Sequence, residues 1–318
     1  MAVASHDRPL RLRWLLNGLE EQTLERGRFE VVVAHDSSGP ETEGLLGSHP
    51  LAADGTLRHL SFPPAKGSTG RLRNAAWRAG SAPVVAFTDD DCRPPPDWLE
   101  NALAAARANP GAVAQGRTLP DPDEEHLLQA APHARSQRIN PPQPYAQACN
   151  IVYPRGLLER LDGFVEDPPL EAAGEDTDLA ERARAAGAPY VAAPEALTYH
   201  AVETYSLPAM LRWAWHWQDL VYLIAHQPQA RRHFPLGMFW KRTHVWLPVA
   251  LAGAALARRD ARYASLALPW VVHSMPDRGA SPRGRLRALS ELPGQAAIDA
   301  AEIAAMVRGS IRFRTFFL

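Results

Sequence analysis

Three consecutive carboxylates, Asp89-Asp90-Asp91, close an almost wholly apolar run from Pro83 to Thr88. Carboxylates crowded at the end of a buried segment repel one another unless a cation or hydrogen-bond donors neutralise them. In extended chain, residues two apart share a side, so Asp89 and Asp91 point together and Asp90 points away. Oxygen donors of this kind suit Mg²⁺ or Mn²⁺, which keep coordination positions open for substrate phosphates. The alternative is a solvated acidic turn before a helix, with Asp97 as its cap. A second acid, Asp36, ends the apolar run Phe29 to Ala34 through the polar turn His35-Asp36-Ser37-Ser38-Gly39. A third group, Glu175-Asp176-Thr177-Asp178, opens a helical pattern, where an acid is also a good N-cap.

The elements that must position these acids alternate between strand and helix. Strands are predicted at 2–5, 29–34, 57–62, 83–88, 148–153, 189–193 and 197–200, and helices at about 9–23, 69–79, 96–108, 155–161 and 175–186. Residues 119–147, rich in Pro, Asp, Glu and Gln with weak periodicity, read as an excursion or flexible loop lying over a site. Alternation at this spacing predicts an α/β fold, a doubly wound, mostly parallel sheet flanked by helices, which binds ligands beyond the carboxyl ends of its strands. Asp36 and the aspartate trio fall there.

The segment Phe87-Thr88-Asp89-Asp90-Asp91-Cys92-Arg93-Pro94-Pro95-Pro96-Asp97-Trp98-Leu99 resembles the DxD region of family 2 inverting glycosyltransferases with the GT-A fold. Gly70-Arg71-Leu72-Arg73-Asn74-Ala75-Ala76-Trp77, Asn150 to Arg155 with Leu161-Asp162-Gly163-Phe164, and Gly174 to Leu179 are similar to further motifs of that family, and the likeness runs from residue 1 to about 205. It implies a nucleotide-diphospho-sugar donor, a bound Mg²⁺ or Mn²⁺, and sugar transfer with inversion to a glycan, lipid-linked or small-molecule acceptor. Residue by residue, Asp36 matches the acid that holds the base or ribose, though His35 stands where the family often has a second acid. Asp89 and Asp91 match the pair on ribose and metal, with Asp90 between them in the donor site, and Asp176 matches the catalytic base. His200 is a third metal or diphosphate contact, as in many proteins of this fold. Arg73 and Asn74, expected near a helix start, are nucleotide contacts, because helix N-terminal amides favour anions. A non-catalytic nucleotide-sugar or glycan binding protein on the same sheet is the alternative.

Composition bounds the rest. With 318 residues and 46% hydrophobic side chains the chain folds around a large core, and two cysteines suit a reducing, cytoplasmic location better than a disulfide framework. No secretory leader is evident in the opening residues. Residues 1–200 carry 19 basic and 28 acidic side chains, residues 201–318 carry 15 and 7. The resemblance implies a GT-A domain over 1–205, and the helical pattern after His200 predicts a helical C-terminal extension over 206–318. The extension holds two apolar runs, 245–257 and 263–275, each too short for the ~20 residues of a membrane-spanning helix. They form either a buried hairpin or a peripheral contact with the inner face of the cell membrane, carried by Trp240 and Trp246 with flanking arginines. Ala209, where processive synthases place Gln before Arg212-Trp213, argues against processive synthesis. No zinc finger, RNA-recognition motif or basic stripe points to nucleic acid.

Overall fold

The computed structural model describes residues 1–65, 69–166 and 173–318. They form two compact units: Met1–Glu124 with Ser136–Val202, and Glu125–Arg135 with Glu203–Leu318. Residues 125–135, expected as part of an excursion, belong to the second.

The first unit is built on a sheet of eight strands among the described residues: β1 (Ala2–Ser5), β2 (Val31–His35), β3 (Leu57–Ser61), β4 (Val84–Asp89), β5 (Cys92–Arg93), β6 (Val113–Pro120), β7 (Asn150–Pro154) and β8 (Tyr190–His200). Their order is β3-β2-β1-β4-β7-β6-β8-β5. The β3-β2-β1-β4 half is parallel, β7 runs antiparallel to β4 and β6, and β8 is parallel to β6 and antiparallel to β5. Its helices are α1 (Pro9–Glu20), α2 (Pro40–Ser48), α3 (Pro50–Ala53), α4 (Thr69–Ala79), α5 (Trp98–Ala108), α7 (Arg155–Leu161) and α8 (Glu175–Ala185), while α6 (His126–Ala130) lies in the second unit.

Alternation along β2 shows why the strands are apolar throughout. Val31 and Val33 join Leu12, Leu15 and Leu16 of α1 and Trp98 of α5 on one face of the sheet. Val32 and Ala34 join Leu72 and Trp77 of α4 and Leu179 of α8 on the other. A strand covered on both faces cannot expose a polar side chain until it leaves the sheet, so its acids gather at its carboxyl end.

Strand β6 is not among the strands that the sequence pattern predicts. Its residues Val-Ala-Gln-Gly-Arg-Thr-Leu-Pro do not read as a strand, yet Gln115 is buried, giving its amide to Gln147 Oε1 and taking the Gln143 amide N–H. The register shifts between Gly116 and Arg117, where a Cβ on Gly116 would lie 2.4 Å from the Ala196 carbonyl and the Asn150 side chain. That irregularity joins the two short strands expected at 189–193 and 197–200 into the single β8. Asp97 makes no side-chain capping bond to α5, contrary to expectation.

The second unit is helical: α6, α9 (Leu207–Ala214), α10 (Leu220–His226), α11 (Arg242–Leu256), α12 (Leu268–Ser274) and the 31-residue α13 (Pro282–Arg312). The apolar run 245–257 falls in α11, and 263–275 divides between a 3-10 segment, Ala261–Ala267, and α12. Among the described residues no helix is long and apolar enough to cross a membrane.

Candidate active site

The carboxyl ends of β1, β2 and β4 converge on one network. Asp36 follows β2 and is fully buried, its carboxylate accepting from the His6 ring at 2.8 Å and from the Ala65 amide at 3.3 Å. The His6 backbone amide turns to Asp90, whose Oδ2 also takes the Ser5 hydroxyl at 2.8 Å. Burial and the neighbouring Asp91 push the Asp90 carboxyl up to about 7. His35 turns to the face of the sheet that carries α2, with Nε2 3.2 Å from Glu43 Oε1. It therefore takes no part in the network around Asp36.

The pairing of β5 with β8 brings a distant histidine to the trio. Cys92 sits opposite His200, and the Ala201 amide donates to the Asp91 carbonyl. Asp89, Asp91 and His200 each offer a ligand atom, all within 4.8 Å of one another. His200 Nδ1 lies 2.9 Å from the Ala201 carbonyl oxygen, an acceptor only, so this nitrogen carries the proton. Nε2 faces Asp91 Oδ1, 3.4 Å away. A protonated ring would pair with Asp91 there, and a neutral ring would turn a lone pair into the same space as the two carboxylates, the arrangement in which a cation is held. A backbone carbonyl holding the far nitrogen is also the usual support of a metal-bound histidine. The donor set of two carboxylates and an imidazole therefore fits Mn²⁺ or Mg²⁺.

Arg73 ties this cluster to the third acidic group. It is buried one turn inside α4 rather than at its start. Nη2 donates to Asp89 Oδ1 at 2.8 Å, and Nη1 to Glu175 Oε1 and Asp176 Oδ1, both at 2.9 Å. Burial alone would lower its pKa, but Asp176, Asp89 and Glu175 outweigh burial and raise it. The guanidinium in turn holds Asp89 below the ordinary carboxylate range against the opposing effect of burial. Asp176 lies in the first turn of α8, whose cap is Gly174 in the left-handed region, so it is not the N-cap. Its Oδ2 accepts the Ala148 amide at 2.9 Å, and burial pushes its carboxyl up to about 7 although Arg73 pulls the other way. Its side chain remains 20% exposed, within reach of a substrate.

Asn74 stands apart. Its amide donates to the Phe164 carbonyl and Glu166, and its oxygen accepts from Trp77 Nε1 and the Phe164 amide. It braces the Asp162-Gly163-Phe164 turn against α4 and is not turned to the acidic network. Arg8 was missed: its Nη1 lies 2.6 Å from Asp91 Oδ2 and 3.6 Å from Asp90 Oδ1. The signal is in the sequence, because His6-Asp7-Arg8 follow β1 at its carboxyl end as Asp36 follows β2.

The sequence profile of glycosyl transferase family 2 matches residues 2–161, half of the chain. The chain belongs to glycosyl transferase family 2. It is a glycosyltransferase that moves a sugar from a nucleotide-sugar donor. A search of the curated proteins finds no match. Among solved structures, a mannosyltransferase of Pyrobaculum calidifontis with GDP-Man and Mn²⁺ is 21% identical with a TM-score of 0.57, over 97% of this chain and 85% of that one. TarS residues 1–349 of S. aureus, in complex with UDP-GlcNAc, is 17% identical with a TM-score of 0.53, over 100% of this chain and 92% of that one. At these identities the likeness shows the shared GT-A fold.

Proposed function

We propose that this glycosyltransferase is metal-dependent and inverting, taking its sugar from a nucleoside-diphosphate donor and giving it to a hydroxyl of a glycan, lipid-linked or small-molecule acceptor. The observation that carries the reading is the gathering of Asp89, Asp91 and His200, whose ligand atoms lie within 4.8 Å of one another while the far nitrogen of the histidine is held by the Ala201 carbonyl. These three side chains would hold Mg²⁺ or Mn²⁺. When bound, the ion supplies stabilisation of the negative charge that grows on the departing diphosphate.

The chain's own groups do the rest. In this reading Asp36 acts on the base or ribose side of the site, with His6, bonded to its carboxylate and itself exposed, between it and the nucleotide. Asp90 secures the loop after β1 through Ser5 and His6. Asp176 takes the acceptor proton as the hydroxyl attacks the anomeric carbon and the bond to the phosphate oxygen breaks. Arg73 and the Ala148 amide each fix one of its oxygens, which orients the carboxylate while leaving lone pairs for the incoming proton. A base near 7 matches neutral operating pH. The buried thiols Cys92 and Cys149, both unbridged, suit the cytoplasmic setting this reading adopts.

A thermal-shift screen of UDP, GDP and dTDP tests the reading, since a ligand of the native state raises the melting temperature by mass action. GDP and UDP come first, because proteins of this fold hold GDP-Man and UDP-GlcNAc. The expected result is a shift that needs Mn²⁺ or Mg²⁺ and disappears in Asp91→Asn. A nucleotide shift indifferent to chelator contradicts it.

A further inference from the structure

The hairpin of α11 and α12 has an inner and an outer face of different character. The inner face buries Leu247, Ala250 and Trp270 against Leu292, Ala296 and Ile303 of α13. Between the two helices, Gly253 lets the 261–267 segment close: a Cβ there would sit 2.7 Å from the Leu266 side chain and the Tyr263 carbonyl. What remains outside is apolar. Leu251 and Leu268 are each 60% exposed and Val272 is 71% exposed, with Tyr263 and Met275 beside them in sequence at 44%. Leucines singly exposed are ordinary, but a hairpin that turns this many outward has an apolar face wanting a cover.

Charge identifies the cover. The connection between the helices holds Arg258, Arg259 and Arg262, all exposed, and from Lys241 to Pro276 the only acid is Asp260. Two copies meeting through this face would bring like charges together in a low-dielectric contact, which is unfavourable. An anionic bilayer surface accepts both parts, leucines among the acyl chains and guanidinium groups among the headgroups. We propose that the outer face of the α11–α12 hairpin docks this protein peripherally on an anionic lipid surface, without crossing it.

Trp240 and Trp246, expected to carry a membrane contact, are half-buried and packed inward, so the proposed contact is assigned to the exposed residues instead. Trp240 packs its ring 3.8 Å from that of Trp217, and Trp246 packs against the inner cluster.

Co-sedimentation of the full chain with vesicles of phosphatidylglycerol and phosphatidylcholine, against phosphatidylcholine alone, is the test. Wild type is expected to pellet with the anionic vesicles and to be released at high salt. The double variants Arg258→Gln/Arg259→Gln and Leu251→Ser/Val272→Ser are each expected to bind about tenfold or more weakly. These side chains are exposed, so donor hydrolysis is expected to persist. Hydrogen exchange of the wild type supplies a measurement that needs no variant: amides of 251–275 should gain protection when anionic vesicles are added. Absence of pelleting, equal pelleting of the variants, unchanged exchange, or a soluble dimer that Leu251→Ser/Val272→Ser dissociates would each overturn the proposal.

Discussion

Among the described residues two clusters of carboxylates gather around a histidine, and they differ in what satisfies them. In the second unit, His244, Asp299 and Glu302 are all buried with ligand atoms within 4.8 Å of one another. There the protein supplies the counter-charge: Lys241 Nζ bonds both oxygens of Glu302 at 2.8 Å, and His244 Nε2 meets Glu302 at 3.1 Å. Trp270 Nε1 and Gln295 donate to Asp299, each at 3.0 Å. Glu302 is accordingly lowered: burial raises it, and His244 and Lys241 outweigh burial. In the first unit, Arg73 pairs with Asp89 and Arg8 with one oxygen of Asp91, while the other oxygen of Asp91 faces His200 Nε2 at 3.4 Å. The same residue types thus make a brace closed by Lys241 in one place and, in the proposed reading, a cation site in the other. The teaching point is that donor bookkeeping around an acid, rather than the presence of the acid, separates structure from chemistry.

Substitutions in the two clusters should therefore fail in different ways. Asp91→Asn is expected to cut sugar transfer by at least about a thousandfold, the several kcal/mol that a metal supplies to a developing phosphate charge, with the melting temperature little changed. Steady-state transfer and a thermal melt on one preparation check this. Asp176→Asn is expected to lower kcat by about 10²- to 10⁴-fold while leaving nucleotide affinity within about threefold, because only the proton acceptor is lost. Calorimetric titration with UDP or GDP reads the second quantity.

The pH profile sharpens the same point. Asp176 must be ionised to act, and burial pushes its carboxyl up to about 7, so kcat/KM is expected to rise with pH through a limb near 7 that Asp176→Asn removes. The linkage sign for stability is the reverse. A carboxyl raised on folding favours the folded state at low pH, and that contribution is lost as pH rises through about 7. A limb at the ordinary carboxylate range would show that Arg73 wins over burial.

In the second cluster, Glu302→Ala strands Lys241 and His244 and is expected to cost about 3–5 kcal/mol by denaturant unfolding, the penalty for breaking a buried pair. Trp270→Phe removes one hydrogen bond to Asp299 and is expected to cost about 1 kcal/mol. Neither should change the metal requirement of the enzyme that remains folded.

Legibility in the sequence followed the range of the interactions. Helix α4 at 69–79 and α7 at 155–161 end where local pattern places them, and β1, β2 and β4 announce themselves as apolar runs. Strand β6 did not, because Gln115 is made tolerable in the core only by Gln143 and Gln147, about thirty residues away. The acids Asp36, Asp89 and Asp91 stood out by position after strands. That His200 meets Asp91 rests on the β5–β8 pairing, which no local pattern encodes. Arg73 was selected for its nearness to a helix start, whereas its function in the network comes from three carboxylates contributed by α8 and β4. In α11 the apolar residues run all round the helix, so the sequence pattern could not say which face would be left outside.

Electron paramagnetic resonance of Mn²⁺ in the presence of UDP or GDP tests the central claim most directly, since it counts bound ion without reference to turnover. The account expects one Mn²⁺ site per chain, lost in Asp91→Asn and in His200→Ala and retained in a folded Glu302→Gln. Undiminished Mn²⁺ binding by Asp91→Asn, or its loss in Glu302→Gln alone, would contradict the assignment of the cation to Asp89, Asp91 and His200.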